Sequence, residues 1–72
     1  MPRSAELPSQ RVENDLRRRI EAGEWAPGDK LPPLSELAEQ YSVSTRTVNK
    51  AIRKIADDGL VEVVPNWGVF RR

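Results

Sequence analysis

SELAEQYSVSTRTVNKAIRKIADD, residues 35–58, is the stretch that decides the fold of this chain of 72 residues. Its hydrophobic spacing predicts two helices, over about 34–41 and 44–58. Apolar side chains stand at offsets 0, +3, +4 and +7 in both helices, at Leu34, Leu37, Ala38 and Tyr41 and then at Val48, Ala51, Ile52 and Ile55. Ser42-Val43 remains as a tight turn between them, so the stretch predicts a helix-turn-helix.

The spacing of small and branched residues favours the same interpretation. Ala38 lies in the first helix of the pair, where the second helix crosses closely and only a small side chain fits. Val48 follows ten residues later on the inward face. The alternative is a three-helix bundle whose polar face is merely solvated.

The second helix of the pair has a polar and basic face opposite its apolar stripe. The residues of this face are Thr45, Arg46, Asn49, Lys50, Arg53 and Lys54. A helix fits the major groove of DNA, where arginine pairs with guanine and asparagine with adenine. Ser44 and the free N–H groups at the helix start suit a phosphate. We therefore expect this helix to read DNA through Thr45, Arg46, Asn49 and Lys50, with Arg46 and Asn49 as the foremost base contacts. Arg53 and Lys54 fit phosphates better.

Another helix is predicted ahead of this pair, over residues 9–22, with Ser9 as its N-cap and Gly23 as its C-terminal stop. Its apolar stripe repeats every four residues, at Val12, Leu16 and Ile20. The arginines at 17–19 either bind nucleic acid or form a solvated face paired with carboxylates. The mixed charge of the helix favours pairing. The carboxylates within reach are Glu13, Asp15 and Glu21.

The connector at 24–33 is rich in residues that break helices. Pro27-Gly28 fits the centre of a tight turn, and Lys30-Leu31 is expected to be a very short extended piece because residues that precede proline disfavour helix. Trp25 could be an exposed recognition aromatic. Packing over the end of the first helix is the favoured interpretation, since tryptophan is mostly buried.

The C-terminal part predicts a β-hairpin, with strands at 60–64 and 69–70. Between them, Asn66, Trp67 and Gly68 form a turn that could reach the minor groove or the backbone of DNA. Trp67 has two equally supported interpretations. It either stacks on a sugar or the DNA backbone, or it folds back on the first helix.

Composition limits the function classes. The net charge is only +1, but residues 1–43 carry six basic and eight acidic side chains, whereas 44–72 carry six basic and three acidic ones. There is no cysteine and no histidine, so we expect no enzyme, no metal site and no cofactor. No apolar run approaches the roughly 20 residues of a membrane helix and there is no signal-peptide core, so a cytoplasmic protein is expected.

The run from Leu16 to Phe70 resembles the N-terminal winged-helix domain of GntR-type bacterial transcription regulators. The matching signatures are LRRRIEAGEWAPGDKLP, ELA, VSTRTV, and DGL followed by GVF in the wing. The resemblance implies an α+β winged helix-turn-helix with three helices and a small antiparallel β-sheet, in which a short third strand joins the wing hairpin. We assign it to residues 8–72, after a flexible arm over 1–7 that shows no periodicity.

The resemblance also implies a function and a site. The third helix would lie in the major groove and the wing along the minor groove of a palindromic operator, with repression as the usual outcome. Whether two copies pair on the DNA stays open at this point. Thr47 and Gly68 match DNA-proximal positions of the family. Ser35, a candidate contact, stands where relatives carry a DNA-contacting arginine, and Ser42 replaces a common turn glycine. Recognition should therefore depend more on the third helix and Trp67 than it does in typical relatives.

Two further points limit the functional interpretation, a C-terminal domain that relatives have and an alternative function. Relatives normally continue into a C-terminal domain for effector binding and dimerisation, and no such domain is present in this sequence. The alternative function is a winged helix that binds other proteins without nucleic acid. The near-neutral net charge is its best support, and salt dependence would discriminate, since affinity for DNA falls steeply with salt.

Overall fold

The computed structural model describes residues 7–72, so all of the expected arm except Leu7 lies outside the described residues. The chain forms three helices followed by a two-stranded hairpin. The elements are α1 (Pro8–Glu21), α2 (Leu34–Tyr41), α3 (Thr45–Asp57), β1 (Val61–Val64) and β2 (Gly68–Arg71). The winged helix-turn-helix expected from the sequence is confirmed.

The start of α1 differs from the prediction. Ser9 is not the N-cap, because the helix already begins at Pro8, with Leu7 in extended backbone ahead of it and no side-chain cap. Proline suits the first helical position, since its ring fixes a helical φ and it lacks an N–H that would have no partner there. The predicted stop is confirmed: Gly23 has φ +83°, and its N–H bonds to the carbonyl of Ile20 at 3.0 Å.

The turn between α2 and α3 is short and tightly specified. Ser42 takes the left-handed conformation, with φ 56° and ψ 45°, and the N–H of Val43 bonds back to the carbonyl of Ala38 at 3.0 Å. Ser44 then caps α3, because its Oγ accepts from the backbone N–H of Thr47 at 3.1 Å. The bounds predicted for α2 and the cap predicted for α3 are confirmed.

The hairpin is antiparallel and extends onto the connector. Its register runs from Val61 opposite Arg71 to Val64 opposite Gly68. Lys30 forms a single bridge to Phe70 and takes the place of the short third strand that the resemblance implies. The wing is thus paired with the connector, which is the segment between α1 and α2.

The core lies where α1 and α2 pack against α3. The stripe of α1 is fully buried, and so are the inward residues of α3. These residues are Val12, Leu16, Ile20, Val48, Ala51, Ile52 and Ile55. Each larger aliphatic side chain contributes about 1.5–3 kcal/mol by leaving water. Trp25 is 9% exposed, which confirms that it packs on the core. In the part of the chain that the structure describes, no helix has the length and apolar character needed to cross a bilayer.

Candidate nucleic-acid interface

The polar face of α3 forms one continuous surface. A shallow depression of about 370 Å³ is lined by Arg46, Asn49, Lys50, Arg53 and Lys54. The amphipathic sequence of α3 produces this surface, because burial of Val48, Ala51, Ile52 and Ile55 turns the remaining positions outward. The residues predicted to read DNA are therefore brought together.

The cations of this surface have no carboxylate partner within residues 7–72. No ion pair involves Arg46, Lys50, Arg53 or Lys54 in this part of the chain. Like charges on one helix face repel each other, and a bound polyanion removes that repulsion. The α3 surface is therefore suited to an anionic partner.

The arginines of α1 behave in the opposite way. Arg17 pairs with Glu13 at 2.8 Å and with Asp58 at 2.5 Å, and Arg18 pairs with Asp15 at 2.5 Å. The predicted paired face is confirmed, with two departures from the predicted partners: Asp58 at the end of α3 joins Glu13 on Arg17, and Glu21 forms none of the described ion pairs. Arg19 pairs with Glu24 at 2.6 Å instead of Glu21, because Gly23 turns the chain back toward the helix.

A partly buried network of side-chain hydrogen bonds holds α2 against α1, and sequence reasoning missed it. The Tyr41 hydroxyl donates to Asp15 at 2.5 Å and accepts from Arg19 at 2.9 Å. The hydroxyl of Tyr41, and then the guanidinium of Arg18, hold the pKa of Asp15 below its usual value. Burial, and then the bond to Asp15, raise the pKa of Tyr41. Tyr41 and Asp15 are 26 positions apart, so no local spacing could have revealed the pair.

The same network also holds Trp25. The guanidinium carbon of Arg19 lies 4.8 Å from the centroid of the Trp25 ring, and its nitrogens make two bonds to the carboxylate of Glu24 at 2.8 and 2.6 Å. This pairing lowers the pKa of Glu24. Because α3 packs on both α1 and α2, the network positions the interface without contributing to its surface.

The N-terminal end of α3 also lies beside the start of α1. Leu7, Pro8 and Ser9 line a depression of about 270 Å³ together with Arg46, Thr47 and Lys50. The start of α1 therefore lies beside the interface, which sequence spacing did not indicate. Thr45 is exposed at the same end. Thr47 is half-buried, and its hydroxyl lies 3.0 Å from that of Ser44, so it belongs to the helix cap.

The remaining predicted residues lie on other elements. Ser35 is exposed in the first turn of α2 and does not line the α3 depression. At the wing tip, Asn66 and Gly68 have positive φ angles of 68° and 135°. Trp67 is 71% exposed and lines a groove against the connector. The interpretation in which Trp67 folds back on α1 is wrong, because the side chain is largely exposed and its groove is lined by residues of the connector, the start of α2 and the wing.

Comparison with known proteins places this geometry in a family. The protein-family model described as bacterial regulatory proteins, gntR family, matches residues 8–70 of this chain. The chain belongs to the gntR family. Accordingly, this gntR-family chain is a winged-helix DNA-binding domain of the kind that regulates transcription.

Similar proteins are regulators as well. The chain is 36% identical over 70 residues to the histidine utilization repressor of Klebsiella aerogenes, an alignment that covers 96% of the chain and 29% of that protein. It is 33% identical over 57 residues to the HTH-type transcriptional regulator TreR of Bacillus subtilis, which covers 79% of the chain and 24% of TreR. The gntR-family chain thus spans less than a third of the length of these two regulators.

Solved structures give the same result for the fold. The DNA-binding domain of AraR, crystallised with the operator ORE1, superposes with a TM-score of 0.90 at 30% identity, covering 99% of this chain and 90% of that one. The same domain with the operator ORX1 gives a TM-score of 0.89 at 30% identity, with coverage of 100% and 89%. The gntR-family fold found here is thus one that has been crystallised on operator DNA.

Proposed function

We propose that this domain binds a specific operator duplex by placing α3 in the major groove, and that binding represses transcription. One observation carries the proposal. The cations of the α3 surface have no carboxylate partner within residues 7–72, whereas each arginine of the 17–19 triplet is neutralised. An exposed cationic helix face with an asparagine among its cations suits a duplex that offers phosphates and base edges together.

Individual roles follow from position along α3. Arg46 and Asn49, near the N-terminal end, would contact base edges, where arginine suits guanine and asparagine suits adenine. Thr45 would bond a base edge or pack on a thymine methyl group. Lys50 would also reach a base edge, whereas Arg53 and Lys54, further along or round the helix, would contact phosphates.

Other elements would position the domain on the duplex. Ser44, Thr47 and the first free N–H groups of α3 suit a phosphate at the start of the helix. Ser35 would contact the backbone from α2. The wing tip, formed by Asn66, Trp67 and Gly68, would lie along the minor groove or the backbone.

Pairing of two copies on a palindromic operator is part of the proposal. Half-sites in the major groove of one DNA face lie about 34–36 Å apart. The domain measures 39 × 23 × 20 Å, so two copies would fit at that spacing with a short axis, of 20 or 23 Å, along the DNA. The printed name of the Klebsiella relative, a repressor, and the AraR complexes with operators support repression at an operator.

Selection of preferred duplexes from a random pool tests the proposal. We expect a selected site, with palindromy if two copies pair. Arg46→Ala should weaken binding to that site by about 1–3 kcal/mol and binding to random duplex far less. Arg18→Ala is the matched control, because Arg18 is exposed but already paired with Asp15. Equal affinity of the wild type for selected and random duplexes would refute sequence reading.

Salt dependence tests the alternative, a protein-interaction module. Each phosphate contact contributes about 0.9 to the slope of log affinity against log salt. Three or four contacts per domain therefore predict a loss of about 40- to 150-fold between 50 and 200 mM salt. No measurable duplex binding at 50 mM salt would favour the alternative.

A further inference from the structure

The wing carries an apolar groove whose lining includes one charged side chain. The groove, of about 380 Å³, runs between the connector and the wing tip. Pro33 and Leu34 form one wall, and Val64 and Trp67 form the other. Lys30 is the charged residue of the lining. Sequence reasoning gave Lys30 no functional role.

The exposed Lys30 side chain lies along the wing. The backbone bridge to Phe70 places Lys30 beside β2. Its stem then crosses Gly68 so closely that a Cβ at residue 68 would lie 2.6 Å from the Lys30 Cε. The φ of +135° favours glycine at position 68, and in this conformation the Lys30 side chain occupies the space that a Cβ would fill.

The ammonium group has no anionic partner within residues 7–72. No ion pair involves Lys30 in this part of the chain. Asp29, its neighbour in sequence, accepts from the N–H of Ala26 at 3.0 Å and closes the turn. Residues 63–69, which form the tip, include no cation of their own. Lys30 thus supplies the positive charge beside a tip that is otherwise neutral.

We propose that Lys30 is a backbone-binding residue of the wing, and that it holds one phosphate of the duplex whose adjoining deoxyribose packs in the groove against Trp67. This inference rests on the proposed DNA binding. The occupant is argued from charge and polarity, because a nucleotide unit offers an anionic phosphate next to a largely apolar sugar edge. The groove offers a single cation next to apolar walls.

Lys30→Met tests the charge alone, because methionine keeps most of the stem that crosses Gly68. Without one phosphate contact, the salt slope should fall by about 0.9, on the selected duplex and on random duplex alike. A slope difference of 0.9 that vanishes at 1 M salt corresponds to about eightfold weaker binding at 0.1 M. Lys30→Arg keeps the charge and should restore both values.

Arg18→Gln is the control for net charge, since it removes the same charge from a paired site on α1. Its salt slope should match that of the wild type. If Lys30→Met has the wild-type slope while the wild type still prefers its selected site, the role of Lys30 is overturned and sequence reading stands. If the wild type binds no duplex, both the inference and the proposed function are overturned. Circular dichroism confirms that each variant is folded.

Discussion

Ser42→Gly should stabilise the domain, although it removes atoms and adds no contact. Ser42 is the residue with a left-handed backbone between α2 and α3, at φ 56° and ψ 45°. A residue with a Cβ loses about 1–2 kcal/mol in that conformation, whereas glycine adopts it freely. Glycine in turn costs about 0.5–1 kcal/mol in chain entropy on folding. When the matching ends of the two ranges are subtracted, the balance is a gain of about 0.5–1 kcal/mol.

Within the described residues, no side-chain contact of Ser42 has to be subtracted from this gain in stability. The side chain of Ser42 is exposed. The end of α2 is capped by backbone bonds alone, from the N–H of Ser42 to Glu39 and from the N–H of Val43 to Ala38, and glycine at position 42 would retain both. For a domain of this size, 1 kcal/mol shifts Tm by about 4–8 °C, so we expect a rise of about 2–8 °C. The urea midpoint should rise while the m-value stays constant. Affinity for a selected duplex should be unchanged.

Ser35→Gly is the matched control, because it removes the same atoms from helical backbone. Serine is more favourable than glycine in a helix by about 0.5 kcal/mol, so this variant should lower Tm. Opposite signs for the same chemical change would establish that backbone conformation decides the result. If Ser42→Gly lowered Tm as Ser35→Gly does, the argument from the left-handed conformation would be refuted.

Two further predictions concern the network on α1 and the wing. The depressed pKa of Asp15 contributes stability that is present above its ordinary pKa, near 4, and lost as the pH falls through the folded value. Asp15→Asn should therefore lower stability by about 1 kcal/mol at pH 7 and by much less at pH 2, as urea titrations at the two pH values would show; an equal loss at both would contradict the linkage. Trp67→Ala should change stability by less than about 0.5 kcal/mol yet weaken duplex binding by about 1 kcal/mol or more, measured by thermal melts and titration. Trp25→Ala, at the buried tryptophan, should instead cost about 3–5 kcal/mol of stability, and similar melts for the two variants would refute the contrast.

Much of the fold could be predicted because the decisive signals are local. The offsets of apolar residues gave α2 within its observed bounds, and Ser44 was recognisable as a cap from its type and place. The start of α1 was misplaced, because serine at position 9 and proline at position 8 both signal a helix start. Proline prevails at the first position, since it needs no partner for a missing N–H.

Two further contacts that sequence reasoning missed join distant parts of the chain. Tyr41 meets Asp15 across two helices, and Lys30 meets Gly68 across the sheet. No period or motif relates such pairs, because their distance depends on how whole elements pack. The sequence identified the residues that form the exposed polar face of α3, and their contacts to DNA stay predictions. Exposure of Trp67 excludes the interpretation in which it folds back on α1, and its stacking on DNA stays a prediction.

The separation of the α3 surface from the contacts that hold α3 has an evolutionary consequence. The core uses one side of the helix, and the described ion pairs at its far end use Asp58. Arg46, Asn49 and Lys50 take part in neither. Under the proposed function, substitutions there would change the operator that is recognised while the folding free energy stays nearly constant. New specificities can therefore arise by single steps through stable intermediates.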